Sequence, residues 1–483
     1  MSAWVPVIGL EVHVQLATDT KLFCGCLSRF GAEPNTLTCP VCTGQPGALP
    51  VLNERALELA VRAALALGCA VADWSKFDRK NYFYCDLPKG YQISQYDRPL
   101  CTGGTGGGIR LSSGRLVRLN RIHMEEDAGK AIHDRGPRTL VDLNRAGVPL
   151  IEAVSEADLA SAAQAYEYLT ALKEVLEYAG VSDCDMEKGS LRCDVNVSVH
   201  PEGEGWRTKV EVKNLNSFRN VEAAIEYEIR RQVAAYEGGD PARYPVQETR
   251  LFDAQAGVTR SMRGKEDESD YRYFPEPDLP PFHVDAAFRA RQAALLPEMP
   301  KAKRRRYQEE LGLSEYDAGV LTAARDVASF FEAVAARTGR AKEAANWVSN
   351  SILAGLSDAA VEAATIADLP FGPEALAEVL ELVERGTITK TAGRQVVAHM
   401  LAAGGEPAAI VAELGLEQVQ DSGRIEEWCR AALAGKDRIA LDVKAGNLKA
   451  LGAAIGSVMK LSGGSADPEV VRETLLRIIR EEL

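Results

Sequence analysis

The sequence predicts an α+β protein: a mixed, largely antiparallel sheet region, then an all-α block, then a small α-helical tail. Three observations predict this order. Up to about residue 290, short segments alternate apolar and polar residues with a period of two, as half-buried strands do. From about Asp285 onward, alanine, leucine and glutamate recur with a helical period and strand patterns stop. Within that helical part, Ala403-Gly-Gly-Glu-Pro407 is a break, because paired glycines and a proline punctuate helices. The predicted domains are 1–290, 291–405 and 406–483.

Taken in chain order, the first strand is Val7–Gln15, where Glu11 and His13 share a face opposite Leu10, Val12 and Val14. Cys24-Gly-Cys26 and Cys39-Pro-Val-Cys42 follow, with twelve residues between the pairs. Thiolates spaced so closely converge on a tetrahedral Zn²⁺, and four of them leave no open coordination position, so the predicted zinc is structural. A helix is predicted from Asn53 to Leu67, closed by Gly68. Gly103-Gly-Thr-Gly-Gly-Gly108 lacks the lysine and following helix of a phosphate loop and reads as a flexible hairpin loop.

The densest chemistry lies in Arg121-Ile-His-Met-Glu-Glu-Asp-Ala-Gly-Lys130. As a strand, it places Arg121, His123 and Glu125 on one face and Ile122 and Met124 on the other. Glu152 interrupts the apolar run Val148–Val154. A second long helix is predicted from a Ser155 cap to Tyr178, closed by Gly180. Asp194, Asn196 and Ser198 then alternate with valines, as do Glu211 and Lys213. Any one of these strands is explained by a solvated, salt-bridged face. Five strands carrying carboxylates with histidine and lysine point instead to a pocket for a hard divalent cation and a phosphate.

The proline-rich stretch Tyr273–Pro281 propagates neither helix nor strand and reads as an extended strap. Lys301-Ala-Lys-Arg-Arg-Arg306 opens a helical pattern and reads as its solvated face. In the tail, Gly452 and Gly456 lie four apart on one helix face, which suits close approach to another helix, the favoured use, or to RNA backbone.

Composition narrows the class of protein. No run of eighteen apolar residues occurs and Met-Ser-Ala-Trp-Val-Pro is not a secretory leader, so no membrane association is expected. Ten cysteines, most of them scattered singly, fit a reducing cytoplasm. A net charge of −13 argues against a globally basic nucleic-acid coat and leaves local basic patches open.

With these motifs assembled, the chain resembles the B subunits of the glutamyl-tRNA(Gln)/aspartyl-tRNA(Asn) amidotransferases over nearly its full length. The resemblance rests on Val7–His13, Lys76–Tyr84, Tyr91–Gln95, His123–Lys130, Val141–Arg145, Gly189–Asp194, Val212–Ser217 and Asp270–Pro277, eight motifs in order. It implies a cradle catalytic domain, a helical domain and a YqeY-like tail that grips tRNA, with Lys444, Lys449 and Lys460 as phosphate contacts.

The implied reaction uses ATP to phosphorylate the side-chain carboxylate of misacylated Asp-tRNA(Asn) or Glu-tRNA(Gln). Ammonia then displaces phosphate to give the amide. The resemblance places Glu11, His13, Glu125, Glu152 and Glu211 around Mg²⁺, with Glu126, Asp194 and Asn196 as further candidates. Lys80, Lys130, Arg192 and Lys213 are the implied phosphate contacts. Implied partners are the A-type glutaminase subunit, which supplies the ammonia, the C-type subunit, the misacylated tRNA and the non-discriminating aminoacyl-tRNA synthetase. Two rival readings remain at this point: a metal-dependent phosphohydrolase, and a non-enzymatic tRNA-binding scaffold.

Overall fold

The computed structural model describes the chain except residues 1–2, 133–135, 137, 265–270, 357–364, 419–421, 435–436, 445–446 and 482–483. Five long, alternating segments pair edge to edge at the centre of the N-terminal region. Val210–Lys213, Leu191–Pro201, Trp4–Gln15, Pro149–Ser155 and Leu116–Glu126 lie side by side in that spatial order, each antiparallel to the next. Glu248–Asp253 adds in parallel to Val210–Lys213, and Val258–Gly264 completes that edge. Short strands at Cys101–Thr102 and Ala70–Val71 extend the other edge, and Gly108–Arg110 pairs with Leu116–Glu126.

Alternation decides what each face does. Ile8, Leu10, Val12, Val14, Ile122, Met124, Ile151, Val195, Val197 and Val212 all point into one apolar core. Helices Glu54–Ala66, Ala162–Tyr178 and Phe218–Glu237 contribute Leu59, Ala63, Leu169, Leu172, Val221 and Ile225 to the same core. At about 25 cal/mol per Å² of apolar surface removed from water, this layer is the main stabilising term of the region. The opposite sheet face is thereby left for polar side chains.

The predicted helix at 53–67 forms as Glu54–Ala66, with Asn53 as N-cap and Gly68 at φ +70° just beyond it. The helix expected from Ser155 begins later, at Ala162 behind a Ser161 cap. Ser155 ends a strand instead: it pairs with Leu119, and its hydroxyl accepts from the Leu10 amide at 2.9 Å. Phe218–Glu237 is a third long helix that the sequence reading passed over; its buried face includes Glu228 and Gln232, which breaks the apolar stripe. Glu228 is satisfied there by Arg231, at 2.8 Å, and by the Thr259 hydroxyl.

The glycine run at 103–108 is a close-packed turn rather than a flexible loop. A Cβ at Gly103 would lie 1.8 Å from the Leu119 carbonyl oxygen, so no larger residue fits without moving the strand. The proline-rich strap is extended as expected and is pinned twice, Phe274–Pro275 against Asp78–Asn81 and Phe282–His283 against Trp74–Ser75.

The chain divides into two compact units, Met1–Met299 and Pro300–Leu483. The first reaches past residue 290 because helix Ala286–Ala294 docks on Glu54–Ala66, with the Arg62 guanidinium donating to Gln292 Oε1 at 2.9 Å in a buried contact. The second unit is helical and holds two apolar clusters. One is built around Trp347, Leu380 and Met400, the other around Ile425, Val458 and Leu475.

Two expectations fail inside this unit. Within the basic run, only part faces solvent: Lys303 is buried, 2.7 Å from Glu332, Arg306 also pairs with Glu332, and Arg304 donates to Thr322 at 2.8 Å. Gly452 and Gly456 are exposed, and among the described residues no atom lies within 4 Å of a Cβ at either position. Their helix, Leu451–Leu461, packs instead through Leu451, Ala454 and Val458.

Two glycine substitutions therefore have opposite signs. Gly103→Ala is expected to cost about 1–3 kcal/mol through overpacking, and Gly452→Ala to stabilise its helix by up to about 1 kcal/mol. Urea unfolding of each variant checks both.

Candidate functional site

Antiparallel register assembles the polar face of the sheet. His13 on Trp4–Gln15 is directly opposite Glu152 on one side and Arg192 on the other, and Glu152 is opposite His123. One row therefore reads His123, Glu152, His13, Arg192 across four strands. A neighbouring row places Glu11 opposite Asp194, and Asn196 lies opposite Glu211.

The resulting cavity, about 450 Å³, has His13, His123 and Glu152 on its floor and Glu11, Asp194, Glu211, Lys213 and Thr249 on one wall. Lys80, Arg121, Tyr96, Tyr271 and Tyr273 form the other wall. Glu125 opens into an adjoining cleft with Tyr82, Asp127, Arg145 and Arg192.

On the floor, His13 Nε2 lies 3.6 Å from Glu125 Oε1 and 3.4 Å from Glu152 Oε2. His123 Nε2 approaches the same two carboxylates at 3.6 and 3.3 Å. Burial by itself favours neutral imidazole, but the charge of Glu152 and then that of Glu125 outweigh it at His13 and raise its pKa to about 9. His123 is raised for the same reasons. Burial would push both carboxyls up; the histidines reverse this and hold Glu125 below, and Glu152 well below, the ordinary carboxylate range.

Ligand atoms of His13, Glu125 and Glu152 all lie within 4.8 Å of one another. Two carboxylate oxygens with one imidazole nitrogen are a donor set for a divalent ion, and the fit needs only deprotonated histidine.

The wall beside the floor is a second charged group. Lys213 Nζ donates to Asp194 at 2.6 Å and lies 3.7 Å from Glu211, so its pKa is raised even though burial opposes the charge. Asn196 donates to Glu11 at 2.9 Å, and the Thr249 hydroxyl donates to Glu211 at 2.7 Å. Lys80 on the other wall is held charged, against its burial, by Glu125, Tyr273 and Glu152.

Comparison with known proteins bears on this cavity. Residues 6–290 match the GatB/GatE catalytic domain, and residues 329–479 match a GatB domain. An aspartyl/glutamyl-tRNA(Asn/Gln) amidotransferase B subunit of Persephonella marina is 50% identical over 477 residues, 98% of this chain and 99% of that one. Its counterpart in Myxococcus xanthus is 50% identical over 477 residues, 98% of each chain. The chain belongs to the amidotransferase B-subunit family. A third member, from Caldicellulosiruptor saccharolyticus, is 49% identical over 479 residues, 99% of this chain and 98% of the other.

In this family member the structure gathers the expected site residues unevenly. His13, Glu125 and Glu152 meet at the floor; Glu11, Asp194, Asn196, Glu211 and Lys213 form the adjacent wall. Arg192 is turned toward Asp127, which Gln15 and Arg145 also contact, at 3.3 and 3.5 Å. Glu126 points to the opposite side of its strand and pairs with Lys89 and the Ile93 amide. Lys130 is exposed on the separate strand Lys130–Ile132 and lines neither the cavity nor the cleft.

Sequence reasoning put His123 on the right face, where it lies beside Glu125 and Glu152 but outside the ligand group of His13, Glu125 and Glu152. It missed the tyrosines, whose approach depends on a strap more than 170 residues from Tyr96 in the chain. Of the eight family motifs, only the first residue of one, Asp270, lies outside the described residues; in the tail, Ala445 and Gly446 do as well.

The cysteines converge as their spacing predicts: Cys24, Cys26, Cys39 and Cys42 offer sulfurs within 4.8 Å of one another, with Cys39 and Cys42 3.9 Å apart. Hydrogen bonding from Cys24 lowers the Cys42 thiol to about 4 against its burial, and the Cys39 amide and Lys21 add to this. Lys21, itself fully buried, sits 3.5 Å from Cys42 Sγ and is anchored to the Leu37 and Leu143 carbonyls at 2.8 and 3.3 Å. The buried ammonium favours the thiolate at Cys42, while hydrogen bonding to Cys42 raises the Cys24 thiol and burial raises that of Cys26, which a bound tetrahedral metal would offset. No sequence signal marked Lys21.

The strap is locked by Glu276, which accepts two bonds from Arg79 at 2.7 and 2.8 Å and has a fully buried side chain. Removing the carboxylate takes two charge-assisted bonds from a partly buried guanidinium, which keeps Asp278 at 3.2 Å. Glu276→Ala is expected to cost about 1–3 kcal/mol, measured as the drop in unfolding free energy in urea.

Proposed function

We propose that this chain acts as the ATP-using subunit of a glutamine-hydrolysing, tRNA-dependent amidotransferase, a carbon–nitrogen ligase. It converts Asp-tRNA(Asn), Glu-tRNA(Gln) or both to the corresponding amides. The observation that carries the reading is a near-full-length match to amidotransferase B subunits in a chain whose sheet brings ligand atoms of His13, Glu125 and Glu152 within 4.8 Å of one another.

A side-chain carboxylate is a poor acyl donor because oxide would have to leave. One carboxylate oxygen therefore attacks the γ-phosphorus of ATP and ADP departs, leaving an acyl phosphate. Ammonia adds to the acyl carbon, inorganic phosphate leaves, and the amide nitrogen sheds a proton. His13, Glu125 and Glu152, with Glu11 and Glu211 nearby, would hold Mg²⁺. When bound, the ion would supply positive charge to offset what develops in phosphoryl transfer.

Lys213 and Lys80, kept cationic by their acidic neighbours, are suited to contact phosphate. Asp194 and Asn196 position Lys213 and Glu11. Arg192, bound to Asp127, keeps the buried carboxylate of the cleft paired. Lys130 receives no role, given its exposed position.

Under this reading the four cysteines hold a structural Zn²⁺. The chain works in the cytoplasm with the A-type and C-type subunits; in some settings a non-discriminating synthetase joins them. Residues 1–290 form the catalytic cradle, 291–405 a helical domain and 406–483 a tRNA-gripping tail, with the exposed Lys444, Lys449 and Lys460 meeting phosphates. No helix among the described residues is long and apolar enough to cross a membrane.

In the assembled enzyme, ATP turnover is expected to require misacylated tRNA, and amide to form only with an ammonia source. Turnover without tRNA would instead identify a phosphohydrolase. Glu125→Ala is expected to lower acyl-phosphate formation by at least about 10²-fold, the scale of losing one preorganised electrostatic group, while tRNA binding persists. Quantitative metal analysis is expected to find one zinc per chain and its loss in Cys42→Ser, with the magnesium-dependent step slowed only indirectly.

A further inference from the structure

We propose that the tyrosine wall of the cavity is the subsite for the 3′-terminal nucleoside of the aminoacylated RNA. This rests on the functional reading above and specifies its substrate contacts. Tyr96 and Tyr273 stack face to face, with centroids 4.3 Å apart and planes 7° from parallel. Tyr271 meets Tyr273 edge-on at 6.2 Å, and Lys80 Nζ lies 4.8 Å over the Tyr271 ring. All four side chains line the cavity that holds His13 and Glu152.

This wall is built for something. Its two halves come from distant parts of the chain and each is fixed in place. The Asn81 side-chain amide donates to the Tyr271 and Arg272 carbonyls at 3.2 and 2.9 Å, and the Tyr96 amide donates to Asp78 at 3.1 Å. Between Tyr271 and Tyr273, Arg272 holds φ +44°, a left-handed conformation that a non-glycine residue keeps only where its surroundings enforce it. Arg121 shares the wall, donates to the Tyr96 carbonyl at 3.4 Å, and among the described residues pairs with no carboxylate.

Stacked aromatics beside cations are what a splayed, single-stranded RNA end needs: a face for its base and charge for its phosphate. Either ATP or the RNA end carries a nucleoside, and geometry separates them. The reacting carboxylate is joined to the terminal ribose by one aminoacyl group, so that nucleoside must sit beside the floor. The base of ATP is a triphosphate away from its reacting atom. On the far side of Glu11 the cavity gives onto a second cleft, lined by Val7, Gly9, Ala157 and Trp206, which leaves the ATP base its own place.

The test uses the full chain assembled with its A-type and C-type subunits. Deacylated tRNA ending in CCA and the same tRNA ending in CC compete against misacylated tRNA in the amidation assay. For the wild type, loss of the terminal adenosine is expected to weaken inhibition by roughly 5- to 100-fold, the range for one stacked base.

In Tyr273→Leu and Tyr96→Leu, KM for misacylated tRNA is expected to rise by a similar factor. The CCA/CC ratio should fall toward one while KM for ATP stays unchanged. Tyr273→Phe, which keeps the stack, should restore the wild-type ratio and exclude a folding artefact. A ratio that persists in both leucine variants overturns the inference, as does a rise in KM confined to ATP. A wild-type enzyme that makes no amide overturns the functional reading itself; one that makes amide but ignores the terminal adenosine overturns this inference alone.

Discussion

Burial of two carboxylates side by side is the constraint on which the rest of this structure depends. Glu125 and Glu152 are both buried over an apolar sheet, where an unpaired charge costs several kcal/mol. They are tolerated because His13 and His123 approach both of them within 3.6 Å. That arrangement exists only if three strands pair in one register. A slip of one residue would send all four groups into the hydrocarbon core and Val12, Ile122 and Ala153 into the cavity. The helices that cover the other face pack on the apolar side chains that this register turns inward.

The same electrostatic rule operates at three depths of the first unit. At the floor, imidazoles offset carboxylates in an arrangement a divalent ion can replace. On the wall, Lys213 is caught between Asp194 and Glu211, so a cation is presented to the cavity at a fixed point. Beneath the cysteine cluster, Lys21 does for the Cys42 thiolate what the histidines do for carboxylates. Each site places a compensating charge in the protein, and each is thereby poised to bind an ion or phosphate without reorganising.

Much of this was legible in the chain. Period-two alternation identified all five strands and the face each presents, because strand geometry converts sequence parity directly into sidedness. Cysteine spacing announced its cluster, and Asn53 and Gly68 bracketed their helix. Errors arose where a local signal had a competing tertiary use. Ser155 looks like a cap but is held by the Leu10 amide inside a sheet. The Phe218–Glu237 helix hid because a buried Glu228 with its arginine interrupts the stripe. Gly452 and Gly456 suggested close packing, yet their face is open. Lys130 follows the richest motif in the chain and still turns away from it, because the chain leaves the sheet after Glu126.

By itself, then, the sequence determined composition of the faces: which residues are polar, which are apolar, and that carboxylates, imidazoles and thiols recur at strand or loop spacing. These are local properties, set by backbone geometry and burial preference within a few residues. Tertiary structure decided the partnerships. It alone set Glu152 between His13 and His123, paired Lys213 with Asp194, and slid Lys21 under the cysteines. It also carried Tyr273 across the fold to stack on Tyr96. Register and chain crossing bring such groups together from tens to hundreds of residues apart, and charge and aromatic contacts act over only a few ångströms, so no local pattern encodes them.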